Sequence, residues 1–288
     1  MALQNTIDRV AVIGAGKMGS ALLAGFLKSG LVNPRKAVVV ERDLMRRTEL
    51  EKEFPGVTCL GQATQLELSA GDICLLAVHP ESVTGVLGQL RDRLNGAMVV
   101  SIAGGITTEQ IQAAVAPGTP VIRVMPNTPA MVGEAMSLLT PGEHVSKAAL
   151  KSVVKLFESI GRACVIPEEL QPAGSALSGS GPAYFALIAS ALIRAGVMHG
   201  LPLALATEMT EQTMLGTARL LQESSMHPEA LIDAVSSPGG TTAVALAELE
   251  GVGLRGAFLN AVDAAVQRTF EQGAELEAAH NTDDTHKA

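Results

Sequence analysis

The stretch Val10-Ala11-Val12-Ile13-Gly14-Ala15-Gly16-Lys17-Met18-Gly19 decides the fold. Small apolar residues run into a G-x-G-x-x-G turn, and Ser20–Ser29 behind it reads as a helix. Each glycine has a mechanical task. Gly14 makes the tight turn, Gly16 lets the backbone approach a pyrophosphate, and Gly19 lets the helix pack closely on the strand. An anion in the turn would meet unpaired N–H groups at a helix N-terminus. A glycine turn of structural use alone needs no such order, so the segment points to a bound dinucleotide.

Outward from it, the spacing predicts strands over Ala37–Val40, Ile73–Val78, Met98–Ile102, Pro120–Val124 and Cys164–Ile166. Helices are expected over Met45–Glu53, Ser82–Leu94, Thr108–Val115 and Val145–Ile160. Most of the strands are continuously apolar, as strands buried on both faces of a parallel sheet must be. This alternation is the grammar of a doubly wound α/β sheet. Beyond Pro167 it stops. Helices Pro182–Met198, Ala204–Glu223 and Gly253–Gln272 follow, separated by Gly200-Leu201-Pro202, His227-Pro228 and Ser237-Pro238-Gly239-Gly240. The expected fold class is an N-terminal Rossmann-type doubly wound sheet over residues 1–166, then an all-α region over 167–273. A disordered polar tail is expected over 274–288.

Composition removes several function classes. The 288 residues hold 21 Lys and Arg against 29 Asp and Glu, and a net charge of −8 leaves no basic footprint for nucleic acid or an anionic membrane. With 47% apolar residues the chain can bury a core, which excludes disorder throughout. No apolar run reaches the roughly 18 residues of a membrane span, and the first residues lack the pattern of a signal peptide, so a cytoplasmic location is expected. Three scattered cysteines, Cys59, Cys74 and Cys164, suggest neither a disulfide framework nor a metal site. Aromatic residues make up only 2% of the chain, so small side chains allow close helix packing and stacking platforms for single strands are missing.

Two regions bear on ligands. Glu41, after the second strand, stands where an acid accepts from the adenosine ribose, which favours NAD. Arg42, Arg46 and Arg47 could pair with a 2′-phosphate, favouring NADP, or could simply face solvent at a helix start. Both cofactors stay open on this reading. In the helical region, Ser178-Gly179-Ser180-Gly181-Pro182-Ala183-Tyr184 and Ser236-Ser237-Pro238-Gly239-Gly240-Thr241-Thr242 stand out as turns leading into apolar helices. The second would present successive N–H groups suited to a carboxylate, or would be an ordinary helix cap.

Through these segments and others along it, the chain resembles the Δ1-pyrroline-5-carboxylate reductase family over about Val10 to Phe270. The resemblance rests on GAGKMG at 14–19, AVHP at 77–80, SIAGGIT at 101–107, MPNTPA at 125–130, SGSGPAY at 178–184 and SSPGGTT at 236–242. It implies an enzyme that reduces a cyclic imine to L-proline, the last step of proline biosynthesis, with NADP(H) favoured and NAD(H) as the other choice. It also implies a helical domain that dimerises by interleaving, and a homodimer assembling into a larger ring such as a decamer. Carried across, the cofactor contacts fall on Ile13, Gly14, Ala15, Gly16, Lys17, Met18 and Gly19. Further ones fall on Glu41, on Ala77, Val78, His79 and Pro80, and on Ile102, Ala103 and Gly104, with Asn127 lining the nicotinamide region. The substrate side falls on Ser237, Gly240, Thr241 and Thr242, with the Thr242 hydroxyl near the ring nitrogen as the catalytic group, and on Glu168. No metal is implied. The chain departs from the family pattern at His79, where Lys is frequent, and at Gln171–Ser175, where an Asp-Ala-Val run is common. It departs again at Ala234, where some members carry Asn.

The residues suit that chemistry. No lysine lies between Lys155 and Lys287. Relatives of this architecture that oxidise β-hydroxy acids use a lysine in the helical domain to move the alcohol proton. His199 and His227 are the remaining proton carriers there, and each reads as a cap or a solvent-facing residue. An imine can be protonated by solvent, so the protein need only orient it and anchor its carboxylate. The other readings are a reductase of another cyclic imine or hydroxy acid, and a non-catalytic nucleotide sensor. A sensor would be expected to show a broken glycine turn or a broken SPGGTT segment, and both are intact.

Overall fold

The computed structural model describes residues 7–285, with side chains through residue 276. Eight strands form one sheet: β1 (Val10–Ile13), β2 (Ala37–Val40), β3 (Thr58–Leu60), β4 (Ile73–Leu76), β5 (Met98–Ser101), β6 (Val121–Met125), β7 (Ala135–Pro141) and β8 (Gly161–Val165). Their order is β3-β2-β1-β4-β5-β6-β7-β8, and every pair is parallel except β6 with β7. Every residue of β1, β2, β4 and β5 is buried, which is why those strands read as unbroken apolar runs.

The sheet is covered on both sides because alternate strand residues point to opposite faces. Val10 and Val12 join one core with α1 (Lys17–Lys28) and α5 (Lys147–Glu158), where Phe26 and Phe157 meet edge to face at 5.5 Å. Ala11 and Ile13 join the other core, with Leu87 and Leu90 of α3 (Val83–Leu90) and Ile111 of α4 (Thr108–Ala113). The helix α2 (Leu44–Glu53), whose Leu50 joins the first of these cores, starts at Asp43, whose carboxylate accepts from Met45 N at 2.7 Å. Burial pushes the Cys74 thiol of β4 up to about 12, so it behaves as a small apolar side chain rather than a nucleophile.

The sequence pattern did not foresee β3 and β7. β3 is short and partly exposed, and β7 carries Ser137 and Thr140 inside its run. The Thr140 hydroxyl donates to Ile166 O at 2.8 Å, so its polar group is satisfied within the sheet edge. The β7–β8 pairing has one demanding position. Gly161 holds φ at +145°, and a Cβ there would lie 2.2 Å from Ala135 O and 2.3 Å from Ala135 N. Gly161→Ala must part the two strands, and a loss of about 3 kcal/mol or more is expected from strain and overpacking together. A lower urea midpoint would show it, and an unchanged midpoint would mean that the strands can part freely.

From Gln171 the chain is helical: α6 (Gln171–Gly174), a π-turn over Ser175–Gly179, α7 (Gly181–Met198), α8 (Leu203–Ser224), α9 (Pro228–Val235), α10 (Thr241–Gly251) and α11 (Leu254–Thr285). α9 is an addition to the helices that the sequence suggested, and α10 is the apolar helix expected after the Ser236–Thr242 turn. The compact units are also cut differently from the expected 1–166 and 167–273. One unit runs to Gly179 and takes in the chain from Val266, and the other is Ser180–Ala265. The first boundary moves because Gln171 is fully buried and its Nε2 donates to Thr140 Oγ1 at 2.9 Å, tying the segment to the sheet edge.

The expected tail over 274–288 is corrected as well. α11 continues through Thr285, and residues 286–288 lie outside the described residues. Two features sustain that helix past Gln272. Arg268 pairs with Glu271 and Glu275, and Leu276 packs on the core that includes Ile106, with its Cδ1 facing Gly105. A further correction concerns Glu168–Met198. This helical stretch is long and apolar enough, by length and composition, to cross a membrane. The sequence reading places a Gly/Ser loop before Pro182, whereas the chain winds a π-turn over Ser175–Gly179 and bends only at Ser180 before α7. Only 11% of its most apolar window is buried, and Phe185, Leu187 and Met198 are exposed.

Candidate active site

The first unit gathers the nucleotide segments at the carboxyl ends of β1, β2, β4 and β5, where the strand order reverses about β1. Such an edge is where doubly wound sheets bind ligands. Gly14 turns at φ +90°, and a Cβ there would lie 2.7 Å from Ala77 O, so the AVHP segment leaves no room for a side chain. Gly19 would put a Cβ 2.2 Å from Gly14 O. Gly16 differs: a Cβ would meet nothing within 4 Å. It faces open space at the start of α1, which has no side-chain cap and no acidic residue in its first turn. Those N–H groups suit an anion, and the cradle fits a dinucleotide pyrophosphate.

Around this turn, Ala77 N donates to Ile13 O at 2.8 Å and Ile102 N to Leu76 O at 3.0 Å, which sets AVHP and SIAGGIT beside the glycines. Lys17 and His79 are exposed, Val78 and Pro80 half-buried, Ala103 buried, and Gly104 again faces open space. Glu41 Oε2 accepts from Ala15 N and Oε1 from Asp43 N, each at 3.1 Å, so its carboxylate folds back on the turn. Arg46 donates to Ala15 O and to Ser20 Oγ, and also pairs with Glu49 and Glu53. Arg47 donates to the carbonyls of Glu41 and Arg42, while Arg42 is exposed.

Glu168 and Asn127 also belong to this unit, and both are already engaged. The Glu168 carboxylate pairs with the Arg123 guanidinium and accepts from Thr108 Oγ1 at 2.9 Å. Arg123 is almost fully buried, so the acid offsets a charge that would be costly alone. Sequence reasoning missed this pair, although a lone arginine inside the apolar run Val121-Ile122-Arg123-Val124 signals a buried charge that needs a partner. The Asn127 amide is bonded at both ends, to Ser178 O and Met136 N.

The second unit holds the other turn. Ser236–Gly240 joins α9 to α10, with Gly239 at φ +68° and Gly240 N donating to Ser237 O at 2.9 Å. A Cβ on Gly240 would lie 2.3 Å from Ser237 Oγ, so a larger residue there would turn that hydroxyl aside. Gly240 is itself the N-cap, without a side-chain cap, and the first turn of α10 has no acidic residue. Thr242 is therefore not the cap. It stands half-buried in that first turn, next to Thr241 and the open N–H groups. Ser236 Oγ is buried with no hydrogen-bond partner. The two histidines are structural: His227 Nδ1 caps α9 by accepting from Glu229 N, and His199 is the exposed C-cap of α7. At the opposite ends of α9 and α10, Arg255 bridges Glu229 and Glu250, and this pairing lowers the Glu229 carboxyl below its ordinary range.

A glycine-turn cradle on a doubly wound sheet, followed in the chain by a helical region, defines a nucleotide-dependent oxidoreductase. Residues 9–105 match the family described as NADP oxidoreductase, coenzyme F420-dependent, and residues 168–272 match pyrroline-5-carboxylate reductase dimerisation. A pyrroline-5-carboxylate reductase from Methanosarcina acetivorans is 36% identical, over 92% of this chain and 98% of its own. Among solved structures, that of the Coxiella burnetii pyrroline-5-carboxylate reductase is 34% identical with a TM-score of 0.85, covering 92% of this chain and 98% of the other. The Plasmodium falciparum pyrroline carboxylate reductase, solved with NADP bound, is 29% identical with a TM-score of 0.83, covering 93% and 99%. The chain belongs to the pyrroline-5-carboxylate reductase family.

Proposed function

We propose that this protein reduces Δ1-pyrroline-5-carboxylate to L-proline, the last step of proline biosynthesis, using NADPH in preference to NADH. The observation that carries the reading is likeness to named reductases over 92% of the chain and 98% of the relative. The cradle of Ile13 to Gly19, with Ala77–Pro80 and Ile102–Gly104, is the part that would hold the dinucleotide. A bound NADPH supplies the hydride. The Ser237–Thr242 turn anchors the substrate carboxylate through N–H groups at the start of α10, and the Thr242 hydroxyl hydrogen-bonds the ring nitrogen. Glu168 belongs to the substrate side only if it keeps Arg123 as its counter-ion. Orientation alone can supply several kcal/mol of barrier lowering, so no lysine base is needed.

The NADPH preference is supported by the spent carboxylate of Glu41, which already accepts two backbone N–H groups, and by exposed Arg42 beside it. Initial rates with each cofactor test both levels. Turnover of pyrroline-5-carboxylate with a higher kcat/KM for NADPH is expected. No turnover in nucleotide-binding protein would retire the reaction, and an NADH preference would return the ribose contact to Glu41.

The active protein is a homodimer on this reading, and the dimers close into a ring such as a decamer. The family description over residues 168–272 and the exposed apolar side chains Phe185, Leu187, Leu192 and Met198 support a second protomer as their cover. A solution mass equal to the 29.7 kDa protomer would overturn it. The location is cytoplasmic, in keeping with three free cysteines among the described residues.

A further inference from the structure

Ser178, the last residue but one of the π-turn, has a carbonyl whose α-helical donor is absent, because the residue four positions on is Pro182, which has no N–H. The N–H of Ala183, one position further, goes to Ser180 O instead. The missing donor comes from the sheet. Asn127 Nδ2 donates to Ser178 O at 3.0 Å, and Asn127 Oδ1 accepts from Met136 N at 2.9 Å. The residue is 9% exposed, so an unpaired amide there would be costly. One amide thus joins the loop after β6, the start of β7 and the break in the helix. Gly179 lies on the same contact, since a Cβ there would reach 2.9 Å from Met125 Cε. Only an amide of this length offers a donor and an acceptor together, and a carboxylate would turn oxygen against oxygen at Ser178.

We infer that Asn127 is a positioning residue and not a ligand of the nicotinamide: it replaces the donor that Pro182 removes, and so fixes the MPNTPA loop against the start of SGSGPAY. The inference rests on the reductase reading above, because the family resemblance sets MPNTPA beside the nicotinamide.

The test is a cycle of Asn127→Ala, Pro182→Ala and the double variant, since alanine at 182 returns an N–H four residues after Ser178. Two readouts are taken: kcat with pyrroline-5-carboxylate and NADPH, and amide hydrogen exchange across residues 175–184. Asn127→Ala is expected to lower kcat about tenfold, the scale of one buried hydrogen bond, and to speed exchange in the turn. Pro182→Ala alone should stay within about twofold, and the double variant should regain most of both losses. A double variant as slow and as open as Asn127→Ala would overturn the inference. So would slow turnover with unchanged exchange, which is the mark of a direct cofactor contact. If Asn127→Ala does not fold, Asn127→Asp, which keeps the acceptor for Met136, takes its place, and absence of rescue by Pro182→Ala in its melting temperature overturns the inference. Failure of the wild type to turn over the pyrroline would retire the reductase reading, while the exchange measurements would still decide the role of Asn127.

Discussion

Gly16→Ala is expected to leave folding nearly untouched while weakening NADPH binding about 100-fold. The backbone there sits at φ −65° and ψ −170°, which any L residue adopts, and a Cβ meets nothing within 4 Å. On the folding side two small terms oppose each other. Alanine is a poorer N-cap than glycine by about 0.5–1 kcal/mol, and it lowers the entropy of the unfolded chain by a similar amount. On the proposed reading the methyl group stands where the pyrophosphate approaches the backbone. Gly19→Ala is the control. Its Cβ would fall 2.2 Å from Gly14 O, a backbone atom, so it should lower the melting temperature and binding together. Calorimetric NADPH titration and a thermal melt on both variants separate the cases. Full affinity in Gly16→Ala would mean that the dinucleotide does not come in over this turn.

How far the molecule could be read from its sequence follows from what fixes each part. The glycine turn was legible because Gly14 and Gly19 each answer a local steric demand and Gly16 completes the G-x-G-x-x-G spacing, and β1, β2, β4 and β5 because burial on both faces forces unbroken apolar runs. β7 was not, since Ser137 and Thr140 are satisfied or hidden only by tertiary neighbours, which no local pattern shows. The extension of α11 beyond Gln272 depends on Arg268 and on the seat that Leu276 finds near Gly105. At the site, the resemblance marks stretches of chain and says nothing of the hydrogen bonds that their side chains make. Asn127 and Glu168 read as ligands, yet each holds other protein groups across at least nine residues of chain. Two local signals were there to be read, a charge inside the β6 run and a proline four residues after Ser178.

Thr242→Ala is expected to cost about 10- to 100-fold in kcat/KM for pyrroline-5-carboxylate, the scale of a hydrogen bond to a charged group. Gly240 is the N-cap of α10 and the helix has no side-chain cap, so the Thr242 hydroxyl has no capping duty to lose. Alanine is also the better helix former, and the melting temperature should hold or rise slightly. NADPH affinity should stay as it is, because the cradle at Gly14–Gly19 is built from other residues. A lowered melting temperature with proportionate loss of activity would instead make Thr242 a structural residue. Thr242→Ser sharpens the test, because serine keeps the hydroxyl and drops only the methyl group. Near-normal kcat/KM in serine against a large loss in alanine assigns the effect to the hydroxyl. Equal losses in both would assign it to packing, and unchanged kinetics in alanine would take Thr242 out of the reaction, leaving the carboxylate anchor to the backbone N–H groups of the turn alone.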